Sequence, residues 1–181
     1  MRWGIIGCGM MGQDHLRNIA LVPGASVAAI HEPDAGMRQA AAGLAPGAAL
    51  VDDLPALLTR PEIEAVLIAS PNHHHLDQLE AIAAAGRALP VLVEKPLFTD
   101  PAAAPRVAAF RDRYPAPVWV AMEYRYMPAV ARLIDEAEAV TGGVRMLSIR
   151  EHRFPFLPKI GDWNRFNRNS GATFVEKCCH F

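Results

Sequence analysis

The chain has 181 residues, with 18 Lys plus Arg against 19 Asp plus Glu, a formal net charge of -1; that balance leaves no broad basic surface for a nucleic-acid backbone or an anionic membrane. Hydrophobic residues at 51% and charged residues at 20% exclude wholesale disorder, and three cysteines, with Cys178 and Cys179 adjacent, cannot build the disulfide framework of a small secreted domain. No apolar run approaches the roughly 20 residues of a membrane-spanning helix, and no length for a signal peptide precedes the first strand, so a cytoplasmic protein with no membrane partner is expected.

Short runs of Val, Ile and Leu alternate with stretches of helical period, the pattern of consecutive βαβ units on a parallel sheet. The first strand is expected over residues 3–6 and the first helix behind a glycine cluster, with Gly12, Leu16, Ile19 and Ala20 on one face. A second strand covers 26–30, and Asp34 is placed to cap a helix over 35–42 that ends at Gly43. A weak third strand at 48–51 leads to Asp52 or Asp53 as the cap of a short helix carrying Leu54, Leu57 and Leu58, with Pro55 tolerated in its first turn. The clearest strand is 65–69, followed by Ser70-Pro71-Asn72 and a helix with Leu76, Leu79, Ile82 and Ala83 facing inward. Residues 91–93 form the fifth strand, Ala103, Val107 and Phe110 mark the next helix, and 118–121 form the sixth strand. The succession predicts an α/β fold: a doubly wound, parallel-sheet Rossmann domain over residues 1–122.

Residues 123–181 follow another grammar and are expected to be the truncated start of a second α/β domain. They read as a helix over 128–140, a turn at Gly142-Gly143, an alternating strand over 144–150, an aromatic and polar segment, and the beginning of a helix over 173–181. One helix and one strand do not make a domain, and a lone strand needs sheet partners. The expectation is therefore the amino-terminal part of a longer protein, or one that partner chains complete, with its exposed strand a site of pairing or aggregation.

Gly7-Cys8-Gly9-Met10-Met11-Gly12 fits G-x-G-x-x-G between a strand and a helix. Gly7 allows the tight turn, Gly9 lets the backbone approach a pyrophosphate, and Gly12 lets the helix sit close on the strand. The free N–H groups at the helix start then face the phosphates. Glu32, twenty residues on, can accept hydrogen bonds from a ribose 2′-OH and would repel a 2′-phosphate, which favours NAD over NADP. The plainer reading of Glu32 is a solvated strand end, His31 and Arg38 keep NADP open, and a flavin dinucleotide would use the same features.

Ligands of an open parallel sheet bind outside the carboxyl ends of its strands, and two polar clusters fall there. In Ser70-Pro71-Asn72-His73-His74-His75, successive histidines at a helix start diverge by about 100° and cannot converge on one ion. No metal is expected; one histidine should point into the crevice and the other two should lie on the surface. In Glu94-Lys95-Pro96, a partly desolvated Lys95 beside a nicotinamide cation would serve as a proton acceptor, against the plain alternative of a salt bridge with Glu94. Glu176 and His180 stand four apart and share a helix face, as a proton-transfer dyad or a surface pair. Zinc on Cys178, Cys179 and His180 lacks a second ligand pair, and Lys177 has no assigned role.

The motifs together resemble the Gfo/Idh/MocA family of nicotinamide-dependent sugar and cyclitol dehydrogenases. The resemblance runs from Gly4-Ile5-Ile6-Gly7-Cys8-Gly9 through the 63–72 stretch, Val93-Glu94-Lys95-Pro96-Leu97, Glu123-Tyr124-Arg125-Tyr126-Met127-Pro128 and Gly161-Asp162-Trp163-Asn164. It implies that Gly7, Gly9, Met10, Met11, Gly12, Glu32, Ser70, Asn72 and His75 border the cofactor. Glu94-Lys95-Pro96 matches the motif whose lysine faces cofactor and substrate, and Trp163 matches a residue near the nicotinamide. The family's D-x-x-x-H site falls on Glu176 and His180, with Glu replacing Asp, and leaves His180 as the proton-transfer residue. The resemblance also implies a carboxyl-terminal domain that supplies the substrate wall and the oligomer interface, hence a homo-oligomer at full length. The expected function is hydride transfer between NAD and a sugar, cyclitol or related polyol, with Lys95, His180 and Glu176 catalytic. The rival is a non-catalytic dinucleotide-binding or sensor module, or an inactive fragment. Tyr-x-x-x-Lys, which a short-chain dehydrogenase needs, is absent.

Overall fold

Ala65-Val66-Leu67-Ile68 presents apolar side chains to both faces, which suits a strand covered on both sides, and all four are buried. In the computed structural model, which describes residues 1–143, 146, 148, 150, 158–172, 175, 176 and 179, this strand (β4) lies inside a six-stranded sheet. The others are β1 (Arg2–Ile6), β2 (Ser26–His31), β3 (Ala49–Val51), β5 (Val91–Val93) and β6 (Val118–Val120). Every pairing is parallel, in the order β3-β2-β1-β4-β5-β6. The chain leaves β1 in one direction and returns at β4 to build in the other, so the switch point lies between these two strands.

The helices are α1 (Met10–Leu21), α2 (Ala35–Leu44), α3 (Leu54–Leu58), α4 (His75–Ala84), α5 (Ala104–Arg113), α6 (Pro128–Thr141) and α7 (Asn167–Ser170). Alternation along the strands sends Ile6, Val66, Ile68, Val91 and Val93 into one core with Leu57, Leu79, Ile82 and Phe110. Ile5, Ile30 and Leu67 point the other way, onto Leu16, Ile19 and Ala41 of α1 and α2. Each buried aliphatic side chain contributes about 1.5–3 kcal/mol, and the two layers hold the sheet rigid beneath its carboxyl edge. Arg87 fastens the lower edge, donating to the carbonyls of Leu58, Arg60 and Ile63 at 2.9, 2.7 and 2.7 Å.

The caps follow the local chemistry. Asp34 accepts from Met37 N at 2.8 Å and Asp53 from Ala56 N at 2.7 Å, whereas Asp52 takes Arg38 instead, at 3.0 Å. The second helix does not stop at Gly43: it continues to Leu44 and is capped by Ala45, because Leu44 and Ala45 pack against the α1/α2 core. Ala103 belongs to a short 3-10 turn ahead of α5, whose one buried residue is Phe110. The sixth strand is an edge with Trp119 54% exposed. Helix α6 has the expected place and ends on left-handed Gly142, φ 67°. The expected strand over 144–150 falls largely on residues outside the described ones, as does much of the expected helix over 173–181. Among the described residues, no helix is long and apolar enough to cross a membrane.

Leu79→Ala should lower the stability of this chain by about 2–5 kcal/mol, because Leu79 is fully enclosed between sheet and α4. Ile134→Ala on α6, at a side chain 62% exposed, should change it by less than about 0.5 kcal/mol. Urea unfolding of both variants beside the wild type measures the difference.

Candidate functional site

The carboxyl ends of β1 and β4 meet where a side chain would not fit. Gly7 has φ 87°, and a Cβ there would lie 2.6 Å from both N and Cα of Ser70. A Cβ on Gly12 would strike the carbonyl oxygen of Gly7. These two glycines are required by the protein's own packing. Gly9 is not: its added Cβ meets nothing nearer than Met37 Sδ at 3.8 Å. A side chain at Gly9 would be accommodated, in ordinary contact with Met37, at the start of a helix with neither a side-chain cap nor an acid in its first turn. The electropositive helix end carries no acid of its own and suits an anion.

At the end of β2, Glu32 is 5% exposed, not a solvated strand end. Its Oε2 accepts from Cys8 N at 2.6 Å and its Oε1 from Asp34 N at 2.8 Å. The carboxylate braces the glycine turn, and each oxygen keeps lone-pair capacity for a further donor. Arg38 turns to β3, donating to Val51 O and Asp52. Burial, with Glu32 beside it, pushes the Cys8 thiol up to about 12, which leaves it neutral and unreactive. Met10 and Met11 are exposed on the first turn of α1.

Beyond β4, Ser70 Oγ donates to Gln78 at 2.6 Å, and Asn72, 8% exposed, carries a buried Nδ2 with no acceptor among the described residues. The three histidines diverge. His74 is exposed, and the His73 ring lies 4.0 Å from that of His74 and 6.0 Å from the Trp163 ring. His75, expected to border a cofactor, is 0% exposed. Its Nδ1 lies 2.8 Å from Pro96 O and its Nε2 3.0 Å from Ser70 O. It joins two loops from beneath, because the helical turn that exposes His74 rotates the next side chain inward. Among the described residues no group of three or more His, Cys, Asp and Glu could hold a metal.

Beyond β5, Glu94 is 7% exposed and does not pair with the Lys95 amine. Its Oε1 lies 2.7 Å from His15 Nε2 on α1. The Lys95 Nζ donates to the backbone carbonyl of Glu176 at 3.1 Å, which brings the last described segment to the lysine. The Glu176–His180 dyad cannot be described, since His180, like Lys177 and Cys178, lies outside the described residues. His15 was missed by sequence reasoning; a signal existed, since it stands three residues after Gly12 on the helix's inner face. Concavities of about 380 and 240 Å³ lie elsewhere, at the amino ends of the strands beside Arg87 and Ala25, away from the converging polar groups.

His75 gives a test by pH. Burial, the largest influence, holds its imidazole below the usual value against the two carbonyls and the Glu94 carboxylate, which raise it. The unfolded chain therefore protonates at this residue more readily, so its stabilising contribution is complete above about pH 6.5 and is lost as the pH falls. His73 shifts the same way, mainly through burial. Wild-type unfolding free energy should drop between about pH 7.5 and about pH 5.5, and His75→Gln should flatten that slope.

The profile of the Gfo/Idh/MocA oxidoreductases, a family with an NAD-binding Rossmann fold, matches residues 1–122. Over 161 residues the chain is 43% identical to an inositol 2-dehydrogenase of Leifsonia xyli, covering 88% of this chain and 47% of that protein. It is 40% identical over 167 residues to inositol 2-dehydrogenase 2 of Saccharopolyspora erythraea, covering 90% and 48%. Among solved structures, myo-inositol dehydrogenase from Lactobacillus casei, in complex with NAD(H) and myo-inositol, superposes with a TM-score of 0.71 at 25% identity, over 79% of this chain and 42% of that one. KijD10, a 3-ketoreductase from Actinomadura kijaniata in complex with NADP, gives 0.67 at 26% identity, over 79% and 45%. The chain thus spans about half the length of the relatives it matches. A six-stranded parallel sheet, a glycine turn closed to side chains at Gly7 and Gly12, and a profile covering both agree: the chain belongs to the Gfo/Idh/MocA family of oxidoreductases.

Proposed function

We propose that this chain is the amino-terminal part, with its Rossmann domain over 1–122 and the start of a second domain over 123–181, of an NAD-dependent dehydrogenase acting on a hydroxyl carbon of a cyclitol, sugar or related polyol. The observation that carries the reading is the contrast among the glycines: a side chain at Gly7 or Gly12 would strike the protein's own backbone, whereas Gly9, at an uncapped helix start, is not required by the protein's packing and would only touch Met37. A glycine there suits a diphosphate approached closely and held by backbone N–H groups. The residues around it fit a dinucleotide. Glu32, fixed by two backbone donors, has capacity for a ribose diol and would repel a 2′-phosphate, which supports NAD over NADP. Asn72 has an unspent amide donor, and Trp163 and Ser70 stand at the same edge.

A bound nicotinamide supplies a hydride acceptor at the carbonyl-forming carbon. The chain's own residues do the rest. Lys95 holds the substrate oxygen with an ammonium hydrogen bond that strengthens as alkoxide character develops. His180, oriented by Glu176 four residues earlier, takes the hydroxyl proton. Glu94 and His75 act behind these groups, on the turn that carries Lys95. The homology to inositol 2-dehydrogenases supports a polyol substrate, and a homo-oligomer is expected once the whole length is present.

NADH titrated into this chain and followed by its fluorescence should bind. Gly9→Ala should weaken binding several-fold without moving the melting temperature, while Lys95→Ala should leave it near wild type. In the protein with its relatives' full length, assayed by NADH absorbance on a panel of polyols, Lys95→Ala should cost about 10² or more in kcat. Unchanged turnover would remove Lys95 from the mechanism and favour a binding or sensor module.

A further inference from the structure

We propose that His15, which lies outside both the glycine and the lysine motifs, is a positioning residue that sets Lys95 in register with the glycine turn. The proposal draws its functional meaning from the dinucleotide reading above. His15 stands on α1 one turn beyond Gly12, and its Nε2 lies 2.7 Å from Glu94 Oε1, with side chains 20% and 9% exposed. The other carboxylate oxygen accepts from the backbone N of Lys95 at 3.3 Å, and Glu94 N donates to Ile68 O at 2.9 Å. A continuous path of polar contacts therefore leads from the helix that opens on Gly9, through one imidazole and one carboxylate, to the main chain of Lys95. It bypasses the sheet.

The bridge is needed because Glu94 is an enclosed carboxylate, and an enclosed charge without a partner is costly. The other imidazole nearby, His75, directs its two nitrogens at Pro96 O and Ser70 O. Among the described residues, His15 is thus the imidazole that bonds the Glu94 carboxylate. Without it, the relief open to Glu94 is to turn toward water, and the Lys95 backbone N–H turns with it. The amine that now reaches Glu176 O at 3.1 Å would then lose its fixed stem. Because α1 begins at the proposed diphosphate site, one side chain ties the two ends of the dinucleotide crevice together.

Lysine reactivity tests this without turnover. Lys95, Lys159 and Lys177 are the chain's lysines, so a brief pulse of an amine-acylating reagent, read by peptide mass spectrometry, resolves Lys95, with Lys159 as an internal control. In the absence of dinucleotide, Lys95 in His15→Ala should be acylated at a rate several-fold different from wild type while Lys159 is unchanged. His15→Gln, whose amide can donate to Glu94, should restore the wild-type rate, a rescue that general loosening of the fold would not give. A folded His15→Ala protein with wild-type Lys95 reactivity overturns the proposal, as does a Gln variant no closer to wild type than Ala. Should the Ala variant not fold, His15→Asn, one methylene short of Glu94, replaces it and is read against Gln in the same way. NADH titration of the wild type judges the dinucleotide reading separately: absence of binding would defeat that reading while the labelling comparison still decides the role of His15.

Discussion

The carboxyl edge of this sheet depends on the exclusion of two methyl groups. At Gly7 the backbone of the first turn comes so close to Ser70 that a Cβ would sit 2.6 Å from main-chain atoms, which cannot swing aside as a side chain can. At Gly12 the helix presses on the carbonyl of Gly7 itself. These contacts set the depth at which α1 starts beside the switch point, and everything placed above the edge takes its position from that depth. Gly7 N also donates to His31 O at 2.9 Å, which carries the same register to the end of β2 and so to Glu32. The φ of 87° at Gly7 adds a second reason for glycine there, since any other residue would be strained in the left-handed region.

Two enclosed carboxylates sit on this frame, and each is stabilised differently. Glu32 is held by two backbone N–H groups, donors that have no rotamers to lose and no proton to give up. Glu94 is held by an imidazole from another element, a partner that can be removed by one substitution without touching the backbone. The first arrangement makes a fixed support under the glycine turn; the second makes a joint between α1 and the end of β5. That difference in donor type leaves the Glu32 end set by the backbone and the Glu94 end dependent on one side chain.

Local chemistry was legible in the amino-acid sequence wherever the partners are near neighbours. Asp34 and Asp53 were readable as caps because their acceptors serve N–H groups three residues on, and the strands were readable from apolar runs bounded by Gly, Pro and Asp. Gly43 misled because the packing of Leu44 and Ala45 outweighs one glycine's preference to end a helix. For Glu94, adjacency offers Lys95 only as the plain alternative, and its imidazole partner is 79 residues away in sequence. His75 and Arg87 reach carbonyls 21 and 24 to 29 residues distant. No periodicity announces such contacts; they exist only once the sheet order is fixed. The glycine turn was found by pattern, but only the geometry tells which of its glycines the protein's own packing requires and which it does not.

Segments after residue 122 already take part in the site. Lys95 donates to the Glu176 carbonyl, Thr99 Oγ1 donates to Arg168 O at 3.1 Å, and the Trp163 ring lies beside His73. The turns after β4 and β5 are thus met by groups from later in the chain, whereas the turns after β1 and β2 are braced by one another. This asymmetry divides the labour of the crevice. The contacts around the glycine turn and Glu32 all come from the sheet and its first helices, within residues 1–122. The edge after β4 and β5 is built jointly, from a turn held at its back by His15 and Glu94 and met by Trp163, Arg168 and Glu176. The position of the Lys95 amine therefore depends on how the later chain is anchored, through the Glu176 carbonyl at its front and the Glu94 carboxylate behind it.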